Sequence, residues 1–302
     1  MLTHGGSVPA PNRDRPTRSP FSISGRTDTH WPRVTLPTEV KSSIVTVPVQ
    51  RVAAGQPTRD QDLLAVEEPL QIRLNGRDLA ITMRTPGHDN ELATGFLFTE
   101  GILHGRDAIA GIAEGDNSIE VTLNAEAQLD VSAQTRHFYL TSSCGVCGKA
   151  SVDALVAAGC SAPPRDRVKI SAATLRGLPE TLRATQPVFD RTGGLHAAAL
   201  FDAAGKLQLV REDVGRHNAV DKLVGRSVLD GRVPLHDSVL LVSGRASFEL
   251  VQKALMAGIA VLAAVGAPSS LAVETALRFG MTLAGFVRDG RFNLYSGESR
   301  VW

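Results

Sequence analysis

The residue types best suited to chemistry fall in one short run, Ser142-Ser143-Cys144-Gly145-Val146-Cys147-Gly148-Lys149. Two cysteines flank two residues, and a glycine follows each. A thiolate, not a thiol, is the nucleophile and the metal ligand, and a helix N-terminus or a nearby cation lowers a thiol pKa from its usual ~8.5. The surrounding pattern predicts that setting. Phe138 to Leu140 reads as a strand and Ala150 to Ala158 as a helix, so the pair falls in a glycine-rich loop at a helix start. Orphan N–H groups and the positive end of the helix dipole favour an anion there, and Lys149 adds a cation.

A lone C-x-x-C has three uses: half of a zinc site, a redox dithiol, or a sulfur carrier through a persulfide. Structural zinc takes four ligands, usually from two such pairs or from a pair plus two histidines. Here the third and last cysteine is Cys160, and no H-x3-5-H spacing follows. A thioredoxin-like motif should follow the first strand of its domain, whereas Cys144 stands near the middle of the chain. Glycines beside the cysteines argue against a packed core pair. Cys160, beside Gly159 at a helix end, reads as packing.

A second concentration of chemistry is Arg211-Glu212-Asp213-Val214-Gly215-Arg216-His217-Asn218-Ala219-Val220-Asp221-Lys222. Gly215 permits close backbone approach at a helix start, where an anion is favoured, and Arg216 and His217 could clamp phosphate or a polar base. A solvated helix start with surface ion pairs is the equal alternative. Ser243-Gly244-Arg245 and Arg288-Asp289-Gly290-Arg291 follow two further strands. Ligands of open α/β sheets bind outside the carboxyl ends of strands, and the planar Arg fork suits phosphate. Three basic loops on one edge would mark a phosphorylated ligand. No G-x-x-x-x-G-K-[ST] or G-x-G-x-x-G occurs, which speaks against a simple ATPase or dinucleotide oxidoreductase. His196 starts a strand, but zinc deaminases need H-x-E before P-C-x-x-C. Ala198 stands where the acid/base Glu would be, and the C-x-x-C precedes the His.

The elements that must hold these residues are legible in hydropathy. Residues 1–41 carry six of the chain's prolines and little apolar periodicity, predicting a disordered extension. From Ile44 the pattern is β. Leu70, Ile72 and Leu74 alternate with polar residues, Asn75-Gly76 signals a type I′ turn, and Leu79, Ile81 and Met83 return. Asp89 or Asn90 is positioned to cap a helix with Leu92, Phe96 and Leu97 on its apolar face, closed by Gly101. Ile119 to Leu123 supplies another strand. Residues 42–140 thus read as a small α+β domain, a sheet with a helix on one face.

Residues 141–302 read as an α/β domain with the C-x-x-C loop at its start. Helices are predicted over 172–185, 217–229, 248–256 and 271–279. Strands are predicted over 197–201, 207–210, 239–242, 260–265, 282–287 and 292–295, the last two joined at Asp289-Gly290. Short, wholly apolar strands alternating with helices imply a three-layer arrangement, a sheet covered on both faces. The 302 residues carry a net charge of +1, so no strong pull toward nucleic acid or anionic membrane is expected. No apolar signal segment opens the chain, and its most apolar stretch, Ala254 to Ala267, is too short to span a membrane. Three cysteines make no disulfide framework, which fits a reducing cytoplasm.

Taken together, Ser143 to Lys149, Thr192-Gly193-Gly194-Leu195-His196-Ala197-Ala198, Arg211 to Lys222 and Ser243-Gly244-Arg245-Ala246-Ser247 resemble the FdhD-type formate dehydrogenase accessory sulfurtransferases. Thr85-Pro86-Gly87 and Glu91-Leu92-Ala93-Thr94-Gly95-Phe96-Leu97 extend the resemblance, which runs from about residue 42 to the C-terminus. It implies a cytoplasmic homodimer whose second domain has a cytidine deaminase-like fold. It implies sulfur taken as a persulfide from a cysteine desulfurase and passed to the molybdenum bis(molybdopterin guanine dinucleotide) cofactor, bound as substrate, for formate dehydrogenase. No structural metal is expected.

Carried over by motif, Cys144 is the persulfide carrier and Cys147 the residue that assists or resolves. Phe286, Val287, Arg288, Asp289, Gly290 and Arg291 match the family's cofactor-binding stretch in position. Phe286, Gly290 and Arg291 are typical there, and Val287, Arg288 and Asp289 depart from it. Arg216, His217 and Arg245 join them from the other basic loops, facing the guanine nucleotide ends of the cofactor. Two other readings stand beside this one: a non-catalytic cofactor chaperone for formate dehydrogenase, and a zinc-containing hydrolase or deaminase.

Overall fold

A computed structural model describes residues 42–53, 55–127, 155–156 and 159–302. All of them lie in one compact unit that runs from Leu36 to Trp302. The extension expected over 1–41, the strand expected at Phe138 to Leu140, and Cys144, Cys147 and Lys149 fall outside the described residues. Of the helix expected over 150–158, Leu155 and Val156 are described, and both are helical.

Strands β1 (Ile44–Ala53) and β2 (Gln56–Ala65) form a two-stranded antiparallel ribbon. A four-stranded sheet follows, in the order β4 (Arg77–Arg84), β3 (Glu68–Leu74), β6 (Ser118–Leu123), β5 (Ile109–Gly115). Asn75 and Gly76 both have positive φ, 50° and 77°, as a type I′ turn requires. Helix α1 (Asp89–Thr99) covers this sheet's apolar face. Its N-cap is His88 in the left-handed region, with no side-chain cap, so neither Asp89 nor Asn90 caps it. Gly101 closes it: Ile102 N–H bonds Leu97 O and Gly101 N–H bonds Phe98 O, the paired bonds of a Schellman end.

The second sheet has six strands in the order β12 (Arg291–Ser296), β11 (Thr282–Arg288), β10 (Val261–Ala264), β9 (Val239–Val242), β7 (His196–Phe201), β8 (Leu207–Asp213). Strands β9, β10 and β11 are mutually parallel, and β7 is antiparallel to both β8 and β9. The carboxyl ends of β8, β9, β10 and β11 therefore share one edge. Strands β9 and β10 are apolar and buried at every position because both faces are covered. Ala197, Ala199, Phe201, Leu241, Val261 and Ala263 meet Leu175, Leu178 and Leu182 of α2 (Ala172–Arg183). A short α3 (Pro187–Thr192) follows α2.

The opposite face, with Leu200, Leu240, Val242 and Leu262, packs on α4 (Arg216–Leu229), α5 (Phe248–Met256) and α6 (Ser270–Phe279). The same apolar core continues through α1 to Leu70, Ile72, Ile119 and Val121 of the four-stranded sheet. Helices thus lie between two sheets, with α2 on the far side of the larger one.

Helices α1 and α4 cross backbone to backbone. A Cβ at Gly95 would lie 1.8 Å from Asp221 O, and one at Gly225 would lie 1.8 Å from Glu91 O. Polar groups lock the crossing: Thr99 Oγ1 donates to Asp221 Oδ1 at 2.8 Å, and Lys253 Nζ lies 2.9 Å from the same carboxylate oxygen.

Candidate functional site: a cavity at the strand ends

The shared edge of the six-stranded sheet carries the basic loops expected from sequence. Arg216 and His217 follow β8, Arg245 follows β9, and Arg288, Asp289 and Gly290 follow or end β11. The loops are stitched across the edge by glycines. Gly266 N–H bonds Gly244 O at 2.9 Å, and Phe286 N–H bonds Gly266 O at 3.0 Å. A Cβ on Gly266 would sit 3.0 Å from Gly244 O, so these loops pack backbone against backbone.

Phe286 adopts φ 54°, a conformation uncommon for any residue but glycine and out of place for an aromatic one. It stands in a bulge where the pairing of β11 with β12 shifts between Gly285 and Arg288. Bulges re-aim side chains and recur beside functional sites. Asp289 and Gly290 then turn the chain with φ 53° and 71°.

Beside these loops lies a cavity of about 780 Å³, within the range of small-ligand sites. Arg288, Asp289 and Gly290 form one wall, and Arg176, Arg183, Gln186 and Phe189 of the α2–α3 region form the other, with His196 and Ser243 lining it as well. Arg216, His217 and Arg245 stand on the same edge without lining the cavity. Arg291 is exposed, and the Val287 side chain is fully buried among Phe292, Leu294 and the α2-side core.

His196 belongs to this neighbourhood. Burial lowers its pKa below the usual histidine range, and the neighbouring Arg216 and His217 lower it further. His217 Nε2 sits 3.2 Å from Glu249 Oε2 and 3.3 Å from Ser247 Oγ. That partner holds the Glu249 carboxyl down at about 2, against the opposing effect of burial. Cys160 is buried, and burial pushes its thiol up to about 11, which makes it a poor nucleophile.

Much of the charge in Arg211 to Lys222 is structural rather than solvated. Asp213 is fully buried: Oδ2 lies 2.6 Å from Lys222 Nζ and accepts Thr85 N–H at 3.2 Å, while Oδ1 accepts Gly215 N–H and Asn218 Nδ2. Lys222 Nζ also donates to Thr85 O at 2.8 Å, and Asn218 Nδ2 to Met83 O at 2.7 Å. Arg211 makes a two-pronged bond to Glu91, Nε to Oε2 at 2.5 Å and Nη2 to Oε1 at 2.8 Å. The surface-ion-pair reading of this segment thus needs revision: Arg216 and His217 stand at the edge, while their neighbours fasten the loop at Thr85 to α4. Among the described residues, no group of three or more His, Cys, Asp or Glu is placed to hold a metal ion. Among them too, no helix is long and apolar enough to cross a membrane.

Sequence reasoning named one wall of the cavity and missed the other. Arg176, Arg183, Gln186 and Phe189 sit on or between helices whose visible signal is the leucine stripe facing the sheet.

The chain is a mixed α/β protein with a basic, glycine-stitched strand-end edge beside a cavity, and comparison with known proteins gives its family. The chain matches the FdhD/NarQ family over residues 65–302 and belongs to that family. It is 52% identical over 266 residues to the sulfur carrier protein FdhD of Mycolicibacterium paratuberculosis, covering 84% of this chain and 97% of that one. The same-named protein of Streptomyces avermitilis is 53% identical over 265 residues, covering 84% and 94%. That of Sulfurisphaera tokodaii is 44% identical over 246 residues, covering 80% and 92%. The crystal structure of a candidate formate dehydrogenase accessory protein from Desulfotalea psychrophila superposes with a TM-score of 0.70 at 24% identity, over 86% of this chain and 100% of the other. At that identity the likeness speaks to fold.

Proposed function

We propose that this protein is a sulfur carrier and sulfurtransferase that serves formate dehydrogenase. It accepts persulfide sulfur from a cysteine desulfurase and passes it to the molybdenum bis(molybdopterin guanine dinucleotide) cofactor, which it binds as substrate. The observation that carries this reading is the family match, which spans residues 65–302 and so includes Cys144 and Cys147. The Cys144 thiolate attacks the outer sulfur of the desulfurase persulfide. A new S–S bond forms at Cys144 as the donor's bond breaks and its thiolate leaves. Once an acceptor for the sulfur is bound, attack of Cys147 on the inner sulfur closes a Cys144–Cys147 disulfide and releases the outer sulfur as sulfide, the thiols supplying two electrons.

The cavity between α2–α3 and the β11–β12 turn has the size and arginine content suited to one guanine nucleotide end of the cofactor. Phe286, Arg288, Asp289, Gly290 and Arg291 serve that end, with Arg216, His217 and Arg245 along the edge. We read the six-stranded layer as cytidine deaminase-like without deaminase chemistry, and the protein as a cytoplasmic homodimer.

Intact-mass analysis after incubation with a cysteine desulfurase and cysteine tests the proposal. Wild type should gain the mass of one sulfur, removable by reductant, and Cys144→Ala should gain none. No gain in wild type, with a competent desulfurase, points instead to a cofactor chaperone.

A further inference from the structure

We infer that Gln186 reads the polar edge of the base in the bound guanine nucleotide, an inference that rests on the nucleotide reading above. Gln186 lies between α2 and α3, is 4% exposed, and lines the cavity with Phe189, Leu195 and Val265. It occupies the residue before α3, where a side chain commonly caps the helix. It does not cap it. Glu212 does so instead, accepting Val188 N–H at 3.2 Å and Phe189 N–H at 2.9 Å.

The Gln186 amide has no hydrogen-bond partner among the described residues. Four buried side-chain atoms there lack a partner, on Thr94, Glu120, Arg216 and Arg300. Gln186 is not among them, so its amide keeps contact with open space, and the open space beside it is the cavity. A side chain so nearly buried that makes no hydrogen bond within the protein, and faces only the cavity, calls for a reason. A ligand that arrives with its own donor and acceptor supplies one.

The chemistry of the cavity says which ligand. An amide places an acceptor oxygen and donor nitrogen side by side, the complement of guanine's N1–H donor and O6 acceptor. An amide can turn over and serve adenine as well. Asp289, which only accepts when ionised, lines the same cavity and favours guanine's N–H groups. Phosphate falls to Arg176, with Arg288, which lies 3.9 Å from Asp289 Oδ2 and 5.8 Å from the centre of the Phe286 ring, beside it. Arg183 is already engaged, paired with Asp190 and stacked 4.8 Å over the Phe189 ring.

The test is calorimetric titration of the full-length protein with GDP and ADP, for wild type and Gln186→Met, with thermal unfolding of each without nucleotide. Gln186→Met should leave the unfolding temperature unchanged or raised, and should weaken GDP binding about tenfold, the loss of one well-placed hydrogen bond. Unchanged GDP affinity in the variant overturns the role of Gln186 alone. So does a fall in the variant's unfolding temperature, because it assigns the amide to the fold. Equal affinity of wild type for GDP and ADP overturns base reading at the cavity, and no GDP binding by wild type overturns the nucleotide reading with it.

Discussion

Glu91 shows how one carboxylate serves the fold at the residue scale. Burial opposes its ionisation, yet the Arg211 fork and His88 outweigh that and hold its pKa at about 2. A depressed carboxyl contributes stability above its unfolded value and loses it as pH falls through the folded one. The contribution of Glu91 is therefore complete above pH 4.5 and fades toward about 2. Thermal unfolding across that window should show Glu91→Gln less stable than wild type at pH 7 and flatter in its acid response. Convergence of the two curves at neutral pH would show that the pair contributes nothing. Nothing near Glu91 in sequence announces Arg211, whose side chain reaches it from β8 because α1 packs on α4. The same holds for Gln186, whose significance rests on a missing partner, and a missing partner is invisible in a sequence.

At the scale of elements, the α1–α4 crossing is the tightest constraint. Each glycine faces the other helix's backbone, so a methyl group has no flexible neighbour to displace. Gly225→Ala should lose on the order of 3 kcal/mol in urea unfolding, at or above the usual cost of overpacking. Gly177, on a helix with open space around it, is the control and should tolerate Ala.

Sequence pattern revealed the elements far better than their meeting points. Alternation disclosed β3 and β4, and continuous apolar runs disclosed β9 and β10, because half-buried and wholly buried strands differ in period. Strand β2 was missed because it is exposed and polar over Gln56 to Asp62, and β5 because Ile109 to Gly115 is thin in large apolar residues. The predicted helix over 172–185 stops at Arg183, and α3 follows as a separate short turn that bulk periodicity does not distinguish. On the site, the strand-end Arg288-Asp289-Gly290 was legible from topology. The α2–α3 wall was not, since its polar residues look like any solvated helix face.

For the whole molecule, the buried Asp213–Lys222 pair joins the segment at Thr85 to the six-stranded layer. Removing one member leaves an uncompensated buried charge, so Lys222→Met should cost about 3–5 kcal/mol. Adding Asp213→Asn should recover part of that loss, and a double-mutant cycle by urea unfolding measures the coupling. Strictly additive losses would show that the two charges do not depend on each other. The glycine crossing has a further consequence for how this protein can vary. With no side chain at the two points where α1 and α4 touch, the helices share one surface whose halves lie 130 residues apart in Gly95 and Gly225. The two sheets are therefore not exchangeable cassettes. A chimera that joins the first 125 residues of one relative to the remainder of another inherits a working interface only if the first parent carries glycine at position 95 and the second at position 225.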